Sequence, residues 1–336
     1  MTHRATGVGS MPGDDYREAT RIVRGEIPEL PYLVELPERG PLAAMTGRTL
    51  AMIGDLAFDL QPAGWRLTGA SGIDHRRAAS MLAQDLDVTE EQAQGSAASF
   101  KLQVCGPWTL AATVERPRGD KVLADPGARR ELTQALAEAV RNHCSDVRRR
   151  VGPVELVVQI DEPALPAVLG GSIPTASGFH RHRSVTPQDA AQSLGWVLEA
   201  ASGVGAIPVV HCCAARLPFD VLRSAPVPAL SFDATSLDAS QYDDLGAWVE
   251  DGRSLWPGVV PATDPAGNPP TATQLTSTVL RWWADLGYSS LETLPDTTVT
   301  PTCGLAGASP AEARTALSLC NEVARNLSVE QGRMPT

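Results

Sequence analysis

The sequence predicts an α/β protein built as one (β/α)8 barrel, a TIM barrel, in a single domain over residues 1–336. Short apolar runs rich in β-branched residues recur along the chain, and segments with helical periodicity fill the gaps between them. Apolar runs without polar alternation are typical of parallel strands buried on both faces. Strands that alternate with helices favour a parallel barrel, and a chain of this length accommodates one.

Eight apolar runs are predicted to be the barrel strands. In chain order they are residues 6–10, 31–36, 100–105, 154–160, 206–211, 229–232, 255–260 and 299–303. The last run is the least regular, because Pro301 has no N–H to donate to a neighbouring strand.

Three of the predicted helices begin with a capping residue followed by proline: Asp125-Pro126, Thr186-Pro187 and Ser309-Pro310. Glu312 completes a capping box with Ser309. The first of these helices is predicted over residues 126–151, and two more over 238–250 and 271–286. Residues 60–96 have no strong period, and we expect a loop and a helix pair at the barrel mouth.

Composition and charge exclude several functions. The formal net charge is -11 without a long run of like charges, so the sequence predicts no nucleic-acid partner. No segment approaches the roughly 18 apolar residues of a membrane span, and no signal peptide is evident, so we expect a cytoplasmic protein without a membrane partner. The six cysteines are scattered, which favours packing, metal binding or catalysis over a disulfide framework.

Candidate metal ligands stand at the predicted strand ends, where a (β/α)8 barrel places its active site. His211 and Cys213 share one side of the fifth strand, because side chains alternate, and Cys303 ends the eighth. Two thiolates and an imidazole select zinc, and Asp233 would fill a fourth position until substrate arrives. The alternative, packing cysteines and a satisfied histidine, suits single residues better than three groups at different strand ends.

An acidic pair follows the fourth predicted strand. Asp161 and Glu162 are either caps of the next helix or, for Asp161, a group that binds a substrate amino group. Ser10, with the backbone around Gly9, would receive a carboxylate, since glycine lets a ligand approach closely. Together these residues describe a site for an amino acid whose side chain reaches zinc.

The strand ends resemble the C-terminal catalytic barrel of the cobalamin-independent methionine synthase family, within the superfamily of uroporphyrinogen decarboxylase and methionine synthase. The motifs occur in the family's order and cover most of the chain: Val8-Gly9-Ser10-Met11-Pro12, Cys105-Gly106-Pro107-Trp108-Thr109, Gln159-Ile160-Asp161-Glu162-Pro163, His211-Cys212-Cys213, Ser231-Phe232-Asp233 and Cys303-Gly304-Leu305. The combination of QIDEPAL, His-x-Cys and a distant CGL is specific.

The resemblance implies that His211, Cys213 and Cys303 bind zinc, with Asp233 where the family has a glutamate ligand. It also implies that Asp161 binds the amino group of homocysteine. Val8 and Ser10 would line the amino-acid pocket.

The chain departs from the family's pattern at three places. The family's folate-dependent members carry a further N-terminal barrel, which has no counterpart in these 336 residues. Leu36 stands where the family has an acid before Pro-Glu-Arg, and Glu35, one residue earlier, is the candidate replacement. The family's seventh strand carries a histidine that acts as an acid toward the folate. Here Val260 is followed by Pro261, Ala262, Thr263 and Asp264, without a histidine.

The predicted function is therefore zinc-dependent methyl transfer to the thiol of homocysteine, or of a similar small thiol, to give methionine. Zinc deprotonates the thiol, and Asp233 would leave the metal when the thiolate binds. Methyltetrahydrofolate needs an acid to leave, so the predicted donor is a methyl-corrinoid, free or on a corrinoid protein. The alternatives are a lyase like uroporphyrinogen decarboxylase, methyl transfer to another thiol, and a binding protein with a closed structural zinc.

Overall fold

A curled parallel sheet wrapped by helices forms the protein, for which a computed structural model describes residues 3–93, 98–263, 268–289 and 294–332. The described residues hold nine strands: β1 Arg4–Ala5, β2 Ala57–Gln61, β3 Gly64–Thr68, β4 Ser99–Cys105, β5 Glu155–Asp161, β6 Ile207–Cys212, β7 Ala229–Asp233, β8 Ser254–Val260 and β9 Thr298–Pro301. Seven of them make the main sheet in the order β1-β9-β8-β7-β6-β5-β4, with every neighbouring pair parallel. The α/β class and the parallel sheet are confirmed. The complete eight-stranded barrel is not seen in the described residues, because their seven strands form a curled sheet that does not close.

Helices connect the strands of the main sheet. The described part of the chain has eleven α-helices: α1 Tyr16–Glu26, α2 Met45–Met52, α3 Ile73–Ala93, α4 Pro107–Thr113, α5 Pro126–Val151, α6 Leu165–Leu169, α7 Pro187–Ser202, α8 Phe219–Ser224, α9 Tyr242–Glu250, α10 Ala272–Asp285 and α11 Pro310–Gly332. A search of the described helices finds none with the length and apolar character to cross a bilayer.

The predicted helix starts are confirmed. The Asp125 carboxylate accepts hydrogen bonds from the N–H groups of Gly127 and Ala128 at 2.8 and 3.1 Å, and the Thr186 hydroxyl accepts one from Asp189 at 3.1 Å. Ser309 and Glu312 form the reciprocal pair of a capping box. Each cap satisfies backbone donors that the first helical turn leaves free.

The second predicted strand, residues 31–36, is not a regular strand. Its backbone exchanges hydrogen bonds with Lys101 of β4 through Pro31 and Leu33, and Glu35 exchanges a second pair with Gly9 and Met11. The segment therefore pairs on both sides, but only through isolated bridges. Proline at positions 31 and 37 removes the N–H groups that would extend the ladder at either end.

Two other boundaries differ from the prediction. The first strand is predicted over residues 6–10, but the structure has it at Arg4–Ala5. Beyond it, the N–H of Thr6 donates one further backbone hydrogen bond, to the carbonyl of Val299. Within residues 60–96, of which 94–96 lie outside the described residues, the expected loop and helix pair is wrong. The chain forms the antiparallel hairpin β2–β3 and then the single helix α3. The hairpin has a period of two that is easily missed, since only Phe58 and Trp65 are fully buried in it.

The inner face of the curled sheet has two layers. An apolar cluster separate from the main core contains Leu30, Val157, Val209, Ala229 and Trp256. Two residues further along β5, β6 and β7, on the same face, come the buried polar side chains Gln159, His211 and Ser231. Alternate residues of β5, such as Val158 and Ile160, pack into the larger core instead. The alternation therefore places a polar layer above an apolar floor.

Glu162 connects β5 to the start of α4. Its carboxylate is fully buried and accepts hydrogen bonds from the N–H groups of Trp108 and Thr109, at 2.9 and 2.8 Å, and from the Thr109 hydroxyl at 2.7 Å. Burial raises the pKa of Glu162 to about 7, although the hydrogen bonds from these three donors act to lower it. A Cβ on Gly106 would lie 2.4 Å from the carboxyl carbon, so glycine is required there. The capping role thus belongs to Glu162, and the helix is the preceding α4.

We predict that Glu162→Ala lowers the free energy of unfolding by about 2 kcal/mol, because two buried N–H groups lose their acceptors. Urea denaturation followed by circular dichroism measures the change. Glu131→Ala, on an exposed position of α5, is the control and should leave the midpoint unchanged. Equal midpoints for the two variants would contradict the tethering role of Glu162.

Candidate active site

Three predicted metal ligands meet at the carboxyl ends of β6 and β9. One ligand atom each from His211, Cys213 and Cys303 lies within 4.8 Å of the others, and the two Sγ atoms are 3.5 Å apart. No other group of three such side chains with this spacing occurs in the described parts of the chain. His211 is buried, Cys213 half-buried and Cys303 exposed, so the group opens toward solvent on one side.

The orientation of His211 fits a metal ligand. Its Nδ1 lies 2.9 Å from the Ser231 hydroxyl, whereas its buried Nε2 has no hydrogen-bond partner among the described residues. Buried polar atoms are nearly always paired, so an unpartnered imidazole nitrogen beside two thiols is unusual. Metal-bound histidines typically use their second nitrogen for a hydrogen bond like the one to Ser231.

The two thiols are not equivalent. The contact with Cys213 and then the neighbouring imidazole of His211 lower the pKa of Cys303 to about 4. The same contact with Cys303, followed by burial, raises the pKa of Cys213 above its usual range. Two cysteine sulfurs and an imidazole are a donor set of the kind that zinc prefers over magnesium or calcium.

Asp233 lies outside this group. Its carboxylate accepts hydrogen bonds from the N–H and the hydroxyl of Thr235, at 2.9 and 2.6 Å, in the turn that follows β7. The structure does not bring it within the 4.8 Å that joins the other three groups. Its role as a fourth ligand stays a prediction.

Asp161, the last residue of β5, pairs in register with His211 on β6. The Gln159 carboxamide donates through Nε2 to Asp161 Oδ1 at 2.7 Å and to the carbonyl oxygen of Val8 at 2.8 Å. Burial, followed by the charge of Glu35, raises the pKa of Asp161 above its usual range, and the positive charge of Lys101 opposes that shift. A positively charged group placed next to Asp161 would therefore stabilise the ionised form of its carboxyl.

Glu35, and not Leu36, has its side chain among these polar groups. Leu36 is fully buried in the main hydrophobic core. Burial raises the pKa of Glu35, while the charge of Arg48 and a hydrogen bond from Gln103 act in the opposite direction. The Arg48 Nε is 4.0 Å from the Glu35 carboxylate. The acid that precedes Pro-Glu-Arg by two residues therefore faces the same interior as Asp161.

Ser10 and Val8 lie between the two halves of the site, which are the metal-ligand group and the predicted amino-acid pocket. The Ser10 carbonyl accepts a hydrogen bond from Leu305 at 3.0 Å, just beyond Cys303. A Cβ on Gly304 would come within 2.2 Å of the Ser10 hydroxyl oxygen. The Val8 carbonyl accepts from Gln159 and from Lys101. The predicted amino-acid pocket and the thiol pair are thus in contact through the turn at Gly304.

Four polar residues of this interior were not identified from the sequence: Lys101, Gln103, Gln159, which donates a hydrogen bond to Asp161, and Ser231. Lys101 and Gln103 alternate within the apolar run FKLQVC. That spacing of two was the available signal, because it places both side chains on the inner face of β4.

Comparisons with known proteins place the chain in a family. Residues 79–326 match the family model of the cobalamin-independent synthase catalytic domain. No curated protein matches. Among solved structures, a B12-independent methionine synthase from Shewanella sp. W3-18-1, in complex with selenomethionine, gives a TM-score of 0.63 at 11% identity, over 99% of this chain and 100% of that one.

Two further solved structures are less similar. A methylaspartate ammonia lyase from Clostridium tetanomorphum gives a TM-score of 0.45 at 11% identity, over 99% of this chain and 61% of that one. The GH5 xyloglucanase XEG5A, from a metagenomic library, gives 0.42 at 10% identity, over 97% and 94%. The likeness to the Shewanella protein shows a shared fold, and the family model covers well over half of the residues. The chain therefore belongs to the family of cobalamin-independent synthase catalytic domains.

Proposed function

We propose that this protein is a zinc-dependent methyltransferase that moves a methyl group onto the thiol of homocysteine to give methionine. The observation that carries the proposal is the group His211, Cys213 and Cys303 next to the buried carboxyl of Asp161. Membership of the family supports methyl transfer, and a related fold is seen in a methionine synthase bound to selenomethionine. A lyase like uroporphyrinogen decarboxylase would leave the three-ligand group without a role.

His211, Cys213 and Cys303 would hold the metal, and Asp233 is the proposed fourth ligand. Zinc bound there would keep a substrate thiol deprotonated at neutral pH, where a free thiol of pKa about 8.5 is mostly protonated. Ser231 fixes the ring of His211 through Nδ1 and so keeps Nε2 available.

The protein's own side chains recognise the amino acid. Asp161 and Glu35 would receive the α-ammonium group, which relieves the repulsion between two buried carboxyls. The Ser10 hydroxyl and the backbone at Gly9 would receive the carboxylate. The substrate thiol then lies toward His211, because Asp161 and His211 are neighbours across β5 and β6.

The donor must release its methyl group to the thiolate and leave with the electron pair of the broken bond. A tertiary amine such as methyltetrahydrofolate needs a proton at that step. The segment after β8 reads Pro261-Ala262-Thr263-Asp264 and lacks the histidine that the family has there. We therefore propose a methyl-corrinoid donor, free or on a partner protein, with methyltetrahydrofolate as the alternative that the family suggests.

Purified protein should contain about one zinc ion per chain, and Cys303→Ser or His211→Ala should reduce this content at least tenfold. Inductively coupled plasma mass spectrometry measures it. Cys212→Ala is the matched control, since this neighbouring thiol packs into the core on the other face of β6. Equal zinc in all four proteins would show that the metal lies elsewhere.

Zinc-loaded protein mixed with homocysteine and methylcobalamin should produce methionine, and Cys303→Ser should produce none above background. Mass spectrometry of the product measures both. Methionine from methyltetrahydrofolate alone would overturn the corrinoid half of the proposal. No methionine with either donor, in protein that holds zinc and binds homocysteine, would overturn homocysteine methylation.

Glu35→Gln should raise the KM for homocysteine about tenfold and change kcat little, because it weakens binding of the ammonium group before and during the reaction alike. Steady-state kinetics measure the split. Glu38→Gln is the matched control, since that carboxylate accepts a hydrogen bond from Gly13 at the surface. An unchanged KM in Glu35→Gln would remove Glu35 from the pocket.

A further inference from the structure

Lys101 is a fully buried lysine for which the proposed reaction provides no role. It lies in the middle of β4, and its side chain extends along the inner face of the sheet. Burying an ammonium group costs free energy unless its hydrogens are satisfied, so a lysine at this position requires an explanation.

The three hydrogens of the Lys101 ammonium group have three acceptors. Nζ donates to the Val8 carbonyl at 2.9 Å, to Gln159 Oε1 at 3.0 Å and to Gln103 Oε1 at 3.4 Å. Within the described residues, no carboxylate lies close enough to form an ion pair with it. The cation is therefore held by neutral groups. One of them, the Val8 carbonyl, belongs to the proposed amino-acid pocket, and another, Gln159, holds the Asp161 of that pocket.

Lys101 supplies one of the three contacts that hold the Gln159 carboxamide. A lysine has donors only, so Gln159 must present Oε1 to it. The carboxamide then presents Nε2 to the Val8 carbonyl and to Asp161 Oδ1, as observed at 2.8 and 2.7 Å. An apolar residue at position 101 would leave the buried Gln159 Oε1 without this donor, so the carboxamide would be held less firmly against Asp161.

The charge of Lys101 acts on the same carboxyl groups. Burial lowers the pKa of Lys101 to about 8, while the charges of Asp161 and Glu35 oppose that shift. Reciprocally, Lys101 favours the ionised form of Asp161. Two buried carboxyls close to each other disfavour joint ionisation, and a cation among them offsets this repulsion.

We propose that Lys101 is the positioning residue of the amino-acid pocket: it holds the Asp161 carboxylate through Gln159 and the Val8 carbonyl directly, and so makes the pocket selective for ligands with an α-ammonium group. The inference rests on the proposed function, since the ligand is the amino acid that the reaction would methylate. Lys101 touches neither the substrate nor the metal ligands in this account and acts through Gln159 and the Val8 carbonyl.

The test compares two ligands on zinc-loaded protein by isothermal titration calorimetry. L-Homocysteine carries the ammonium group, and 4-sulfanylbutanoate is the same molecule without it. Wild-type protein should prefer homocysteine by at least about tenfold, the value of a charge-assisted hydrogen bond. Lys101→Met should remove most of that preference, while affinity for 4-sulfanylbutanoate and zinc content stay within about twofold.

Two further variants separate positioning from support of the fold. Gln159→Leu should lose the same preference, and the double variant should lose no more than either single one, because both changes break one network. Thr300→Val is the matched control. It also removes a buried polar group, but this hydroxyl has no partner among the described residues, so the variant should keep the preference for homocysteine. If Lys101→Met does not fold, as judged by circular dichroism, Gln159→Leu decides.

An unchanged preference in a folded Lys101→Met or Gln159→Leu, beside a selective wild type, would overturn the role of Lys101 and leave the proposed function standing. A wild type that binds homocysteine no better than 4-sulfanylbutanoate would instead overturn the amino-acid pocket itself. A purely structural lysine would shift the urea midpoint and leave the ligand ratio unchanged.

Discussion

The polar layer on the inner face of the sheet imposes the main constraint on this structure. Strands that are buried on both sides exclude water, so every polar group of the layer needs a partner from the protein or from a ligand. Lys101, Gln159 and Asp161 meet this need mostly among themselves. His211 meets it at only one of its two ring nitrogens. The unmet need marks the position at which a ligand is expected.

The two halves of the candidate site depend on one another through this layer. Asp161 and His211 are neighbours in register, and the turn at Gly304 brings Ser10 next to Cys303. In the proposed reaction, an amino acid held at Asp161 would project its side chain over a distance fixed by strand spacing, about 5 Å between neighbouring strands. Selectivity for the ammonium group and placement of the thiol would then share a single rigid support.

Strand alternation made part of this site predictable from the sequence. His211 and Cys213 had to share a face, and that inference needed no knowledge of their neighbours. The choice between Glu35 and Leu36 needed more, because it depends on which backbone groups the irregular segment 31–36 pairs with. Lys101 was hidden for another reason: its apolar neighbours in FKLQVC predict a strand, and a long side chain reaches partners far away in sequence.

The coordination that the residues offer bears on whether the metal would be structural or catalytic. Structural zinc sites are closed by four protein ligands, whereas catalytic sites keep three and leave a position for water or substrate. Here three donors lie together, one of them on an exposed cysteine, while the carboxylate of Asp233 is held by Thr235. The side chain of Asp233 is also one methylene shorter than the glutamate that the family has at this position. A set of three close donors and one restrained carboxylate therefore favours an open site, as binding of a substrate thiol would require.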